Sequence, residues 1–295
     1  METLLSPQLL FSALVLGSLY ALIALGLNMV YGTMRLLNIA HGDVIMIASY
    51  AAFWVFTLVG VSPLLAAPII VGLTAGIGLL LYRLLFAQQL AGGNTLARVE
   101  ANSLLLFFGL SVIIQNVAAL TFSATPRAYQ HLDTVYQVAG IAMTGNRIVG
   151  LLVSVAVVAA VVIALNRTAL GLSVKALIQN REAARIVGID VGKVQLLSFA
   201  IGFGVAGVAG LLISMAEQIS PFMGFPFTIA AFVVIILGGP GNITGGIIAG
   251  LLLGFVEVYA VALTSASFRS MILYGLFVLV LIARPQGLLG RSRRA

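Results

Sequence analysis

An all-α, polytopic membrane protein of eight to nine transmembrane spans is the fold class this sequence predicts, on three observations. The chain of 295 residues is 61% hydrophobic and only 8% charged, whereas a soluble domain keeps roughly a quarter of its residues charged. Its mean hydropathy is +1.17. Its apolar residues also gather in runs of spanning length. A bilayer core offers no water to backbone amides, so such runs must be helices. The 32 glycines suit a bundle of this kind, because small residues let membrane helices approach closely. With no cysteine, disulfides, Cys-ligated zinc and thiol catalysis are excluded. The net charge of +7 comes from basic residues scattered through loops, not from one basic face, and no nucleic-acid partner is expected.

The elements follow in order. Met1-Glu-Thr-Leu-Leu-Ser6 lacks a basic n-region, so the first run, Gln8–Tyr31, is expected to remain as a span. Leu36–Gly60, Ser62–Phe86, Ser103–Ser123 and Ile148–Leu165 come next. A polar island at 166–193 interrupts the pattern, with five of the fifteen Lys and Arg residues and two of the eight Asp and Glu residues. After it come Val194–Met215, Phe227–Leu237, Gly245–Leu263 and Met271–Ala283. The run at 227–237 is too short to cross about 30 Å of hydrocarbon at 1.5 Å per residue. It either extends back through Pro221–Pro226 or stops as a half-helix inside the protein. The whole chain, 1–295, reads as a single transmembrane domain with one large polar loop.

If the first span enters from outside and nine crossings alternate, one side collects twelve basic residues: Arg35, Arg83, Arg98, Arg167, Lys175, Arg181, Arg185, Lys193, Arg284, Arg291, Arg293 and Arg294. The other keeps three, Arg127, Arg147 and Arg269. That bias predicts a periplasmic N-terminus, with the island and the Arg-rich tail in the cytoplasm. The spans also divide into four, a fifth, the island, then four more. The two groups of four start with opposite orientation, as in inverted-topology repeats.

Inside the island, Asn180-Arg-Glu-Ala-Ala-Arg-Ile-Val-Gly188 carries both helix punctuation marks. Asn180 suits an N-cap, Glu182 lies in the first turn where the dipole favours an anion, and Gly188 occupies the C′ position. Ala183, Ala184 and Val187 fall at helical spacing and predict a narrow face of small residues. A helix this short does not stand alone in water. It is either a connector on the membrane surface or a docking helix for a cytoplasmic partner.

The pattern Ala176-x-x-x-Asn180-x-x-Ala183-Ala184-x-x-x-Gly188-Ile189 resembles the coupling-helix loop of ABC importer permeases. More broadly the chain resembles the branched-chain amino-acid permease family, nearly end to end. The likeness runs through Tyr20-Ala-Leu-Ile-Ala-Leu-Gly-Leu-Asn28, Val30-Tyr-Gly32 and Leu37-Asn-Ile-Ala-His-Gly-Asp43. It continues through Ala169-Leu-Gly171, Gln218–Phe227, Gly238-Gly-Pro-Gly241 and Arg284-Pro-Gln-Gly-Leu288. The resemblance implies an inner-membrane permease subunit that pairs with a second, related permease, two cytoplasmic ATPase subunits and a periplasmic substrate-binding protein. It also implies a heterodimer, and a coupling role for Asn180, Arg181, Glu182, Ala183, Ala184 and Gly188. ATP and Mg would be bound by the partner ATPases, with no cofactor in this chain. The sequence agrees in lacking a Walker A: its only Gly-Lys pair, Gly192-Lys193, is followed by Val194 and has no glycine at the required upstream position. Branched-chain amino acids are the family's default cargo, and the resemblance leaves other amino acids, urea, short amides and small organic acids as alternatives.

Ionisable and amide side chains within spans are costly in lipid and mark functional candidates. Asn28, Asn38, His41, Asp43 and Glu257 are the candidates for a translocation path. Glu257 either pairs with an arginine such as Arg269 or faces a wet cavity. Gln115 and Asn116 suit interhelical hydrogen bonds. Glu217, at the outer end of the sixth span, contacts either a binding protein or the interface. The rival reading is an ion-coupled secondary transporter using His41, Asp43 or Glu257. A passive channel is the third. No HExxH, GxSxG or comparable catalytic set occurs, so no enzyme is expected.

Overall fold

The computed structural model describes residues 6–86, 96–138 and 140–283. The Arg-rich tail (Arg284, Arg291, Arg293, Arg294), the motif Arg284–Leu288 and the side chain of Arg98 lie outside the described residues. The protein is a helical bundle, and seven of its described helices are long and apolar enough to cross a membrane. In chain order the helices are α1 Pro7–Met34, α2 His41–Trp54, α3 Pro63–Leu81, α4 Leu96–Phe122, α5 Gly145–Arg167, α6 Ala169–Gln179, α7 Arg181–Ile186, α8 Val191–Ser214, α9 Gly224–Gly238, α10 Ile243–Leu263 and α11 Arg269–Ala283. π-helical turns extend α2 over Val55–Val59 and α3 over Tyr82–Phe86.

Two helices form the axis. α1 and α8 are mostly buried, and they cross at Gly26 and Gly202. A Cβ on Gly26 would lie 2.7 Å from the Gly202 carbonyl oxygen, and one on Gly202 would lie 2.6 Å from that of Gly26. Only glycine permits backbones this close, which is how small residues replace hydrophobic drive in lipid. Each axial helix holds one flanking helix. α10 lies on α1, with Gly254 against Gly17 and Gly250 against Ala21. α3 lies on α8, with Gly207 against Thr74 and Gly78 against Phe203. α2 packs mainly on α8, and α9 packs on both α1 and α10. The apolar faces of α3, α4 and α5 look outward, with Leu65, Leu105 and Leu152 more than 60% exposed, as a lipid-facing surface requires.

The structure departs from the sequence-based spans in three places. The expected span Leu36–Gly60 starts only at His41, because Arg35 adopts the left-handed conformation (φ 55°) and residues 35–40 are non-helical. This segment turns back into the bundle, so that His41 Nε2–H donates to the Ile23 carbonyl, well inside α1, at 3.1 Å. The run at 227–237 extends back only to Gly224, which makes α9 a buried helix of 15 residues. At 1.5 Å per residue it is about 22 Å long, short of a full crossing. Between α4 and α5, where the sequence suggests only a loop, an antiparallel hairpin pairs Val135–Val138 with Ile141–Thr144.

The hairpin region is tied to the α8–α9 connection through reciprocal Arg127 and Ile219 backbone hydrogen bonds of 2.8 and 2.7 Å. It is tied to α1 through Gln8, whose amide both donates to and accepts from Ala142. Arg127 lies over the rings of Phe53 and Trp54. Tyr129, bonded to Ser214 at 2.8 Å, packs on Phe53 and Phe56, and burial pushes its hydroxyl pKa up to about 12. These contacts, with the Arg269–Glu217 ion pair, gather the start of α1, the hairpin and the α2–α3, α8–α9 and α10–α11 connections at one end of the bundle. The polar island, the 35–40 break and the α9–α10 turn lie at the other.

Candidate functional site

The island folds as two helices, where the sequence predicts one. Thr168 caps α6 by accepting from Gly171 N at 3.1 Å, and Leu170, Val174 and Leu177 turn inward at helical spacing. That spacing was available in the sequence, but the surrounding charges hid it. Lys175 Nζ donates to Asn166 Oδ1 and ties α6 back to the end of α5.

α7 starts at the expected cap: Asn180 Oδ1 accepts from Glu182 N and Ala183 N at 2.9 and 3.0 Å. It ends in a Schellman turn, with Gly188 N bonded to Arg185 O, Ile189 N bonded to Ala184 O, and Gly188 at φ 84°. Glu182 stands in the first turn and Arg185 in the last, each at the helix end that favours its charge. The expected face of Ala183, Ala184 and Val187 is divided. Only Ala184 is buried, packing with Leu177, Val174 and Val191, because a helix of 6 residues turns too little to bury a whole stripe. Ala183 is exposed, and the outermost apolar groups are Ile186 and Val187, at 85% and 73% exposure. Arg181 leans inward, and burial next to Arg185 pulls its pKa down.

The second constellation sits where α2 and α9 begin. The two helix starts touch through Gly42 and Gly224. Thr228 Oγ1 accepts from Gly42 N at 2.8 Å and donates to Ile39 O at 3.2 Å, satisfying backbone groups that the break at 35–40 leaves open. Asn38, His41 and Asp43 are all buried here. Both side-chain polar atoms of Asn38, His41 Nδ1 and Asp43 Oδ2 have no hydrogen-bond partner among the described residues. Gln115 Nε2 donates to Asp43 Oδ1 and to Ser111 Oγ, each at 3.0 Å. Asn116 instead bonds to its own helix, at Val112 O. Asn28 stands apart from this group. Its amide donates to Asn242 O and accepts from Gly241 N, clamping α1 to the α9–α10 turn.

The third lies at the opposite end from the island. Glu257 is 2% exposed, and Tyr20 OH donates to its Oε2 at 2.6 Å. Arg269 Nε donates to Oε1 of the same carboxylate, which gives Glu257 its arginine partner. Arg269 Nη1 also lies 3.7 Å from Glu217 Oε1, with both side chains 42% exposed. Tyr20 is the member that sequence reasoning missed, since one phenol in an apolar run carries no spacing signal. Glu217, Glu257 and Arg269 border a cavity of about 420 Å³ between α1, α5, α8, α10 and α11. A smaller apolar cavity of about 250 Å³ lies near the α9–α10 turn. No cluster of His, Asp and Glu suited to a metal occurs among the described residues.

Residues 9–281 match the family described as branched-chain amino acid transport system / permease component. The chain belongs to this permease family. It is 32% identical to the high-affinity branched-chain amino acid transport system permease protein BraD of Pseudomonas aeruginosa, over 96% of this chain and 95% of that one. It is 31% identical to the permease protein LivH of Escherichia coli K12, with the same coverage. It is also 29% identical to the permease protein LivM of that organism, over 94% of this chain and 69% of the other. No solved structure matches. The permease is thus a transport subunit of a multi-pass membrane protein family and not an enzyme.

Proposed function

We propose that this permease is one membrane subunit of an ATP-driven, binding-protein-dependent importer that moves branched-chain amino acids across the inner membrane. The observation that carries the reading is α7, a capped helix whose buried Ala184 anchors it while Ile186 and Val187 point outward with nothing among the described residues to cover them. Exposed apolar groups at the tip of a polar loop suit insertion into a groove of a soluble partner. Two cytoplasmic ATPase subunits, which bind ATP and Mg, are that partner in this reading. A periplasmic binding protein delivers cargo at the hairpin end. Likeness to both LivH and LivM of one organism favours a heterodimer with a second, related permease.

The orientation is N-terminus outside. Arg35, Arg83, Arg167, Lys175, Arg181, Arg185 and Lys193 lie toward the island end, against Arg127, Arg147 and Arg269 toward the hairpin end. The paired contacts support two inverted halves, α1–α4 and α8–α11. In this scheme α1 with α10 corresponds to α8 with α3, and both self-related contacts, Gly26 with Gly202 and Gly42 with Gly224, lie near the axis.

The test is leucine uptake by proteoliposomes holding the permease, its partner subunits and the binding protein. Uptake should require ATP, and Ile186→Glu with Val187→Glu should abolish it while the permease keeps its melting temperature. Uptake at the wild-type rate by the double variant, or uptake by the permease alone, would overturn the proposal.

A further inference from the structure

The cavity at the hairpin end has a charge arrangement that the packing of the fold does not require. Its deep wall is built. Glu257 is fixed from two sides by Tyr20 and Arg269, so the Arg269 guanidinium is held at the rim with its Nε already engaged. Ser154, wholly buried in the same lining, has a hydroxyl without a partner among the described residues. Two rim groups keep free capacity. Arg147, at the start of α5, is exposed and makes no hydrogen bond or ion pair among the described residues. Among the described residues the Glu217 carboxylate has only the 3.7 Å ion pair with Arg269, too long for a hydrogen bond, so it can still accept. Between these groups the walls are aliphatic, with Leu16, Leu212, Val258 and Val261. The cavity thus joins a cation unpaired among the described residues, a carboxylate with spare acceptor capacity and an apolar wall in about 420 Å³, within the roughly 300–1,000 Å³ usual for small-molecule sites.

We infer that this cavity binds the zwitterion of an aliphatic α-amino acid within a single permease subunit. Arg147 takes the carboxylate as a bidentate partner, and Glu217 takes the ammonium. The aliphatic side chain lies against Leu16, Leu212, Val258 and Val261. Glu257 is a positioning residue: it holds Arg269, which limits the swing of Glu217. Rim charges of both signs fit a zwitterion, whereas an anion alone would leave Glu217 repelling it. The inference rests on the importer reading for the class of cargo. It adds a site on the face that the cargo reaches first.

Equilibrium binding of radiolabelled L-leucine to the permease, assembled with its partner subunits in lipid nanodiscs without binding protein, tests it. Binding should be saturable. Arg147→Gln and Glu217→Gln should each weaken it about tenfold or more, the effect of one charge-assisted hydrogen bond. Leucinol, which lacks the carboxylate, and 4-methylpentanoate, which lacks the ammonium, should each compete about tenfold less well than leucine. Unchanged affinity in both variants, competition by both analogues as strong as by leucine itself, or no saturable binding would overturn the site. So would a phospholipid that occupies the cavity and is not displaced by leucine. ATP-driven uptake, measured in parallel, separates the two readings. Intact wild-type uptake alongside a null binding result removes only the site. Absent wild-type uptake alongside leucine binding that both variants weaken removes only the importer reading.

Discussion

At Gly42 an added methyl would sit 1.9 Å from the Gly224 carbonyl oxygen and 2.4 Å from Thr228 Oγ1, and the first of these contacts is backbone. That carbonyl cannot rotate away, so Gly42→Ala must push the starts of α2 and α9 apart. A cost of about 1–3 kcal/mol is expected, typical of overpacking, read as a lower melting temperature of the detergent-purified permease. Gly72→Ala, with nothing within 4 Å of the new atom, should leave the melting temperature unchanged. At the hairpin end, Tyr20→Phe removes a single hydrogen bond to Glu257, which should cost about 1 kcal/mol in a membrane interior. Glu257→Ala should cost more, because it strips both Tyr20 and Arg269 of their acceptor. Equal melting temperatures for these two variants would mean that the carboxylate does not organise this end.

The elements show which structure was legible in the sequence and which was not. α7 could be read because its caps are local: Asn180 and Gly188 act within a few residues of themselves. The break at 35–40 was legible only in its polar edge, Asn38 and His41-Gly42-Asp43, because Leu36, Leu37 and Ile39 are as apolar as any helix interior, and the partner that satisfies the break is Thr228, far along the chain. The short length of α9 was visible from its glycine and proline borders, and its burial was one of the two readings those borders left open. The cavity was legible only at Glu257, since its lining comes from five helices and no two of its charged residues share a motif. The cap itself yields an element-scale expectation. Asn180→Ala removes two hydrogen bonds and about 1 kcal/mol from a helix of 6 residues. Leucine uptake should fall several-fold with little change in global stability, and Asn180→Asp should restore it. Wild-type uptake by the alanine variant would mean that docking does not need an ordered helix.

For the whole molecule, orientation is open to direct measurement because the chain has no cysteine. A single Tyr136→Cys in the hairpin should react with an impermeant maleimide on intact spheroplasts, and Ile186→Cys only after they are opened. The reverse pattern would invert the topology. A further consequence concerns biogenesis and comes from the contact between Gly42 and Thr228. The amide of Gly42 and the carbonyl of Ile39 sit deep in the bundle, and their partner belongs to the second half of the chain. While the ribosome is still making that half, both groups face hydrocarbon unpaired, at a cost of several kcal/mol each. The first spans cannot settle in lipid as a finished unit. The insertion machinery has to hold them, or leave the 35–40 segment near water, until α9 arrives to complete the fold.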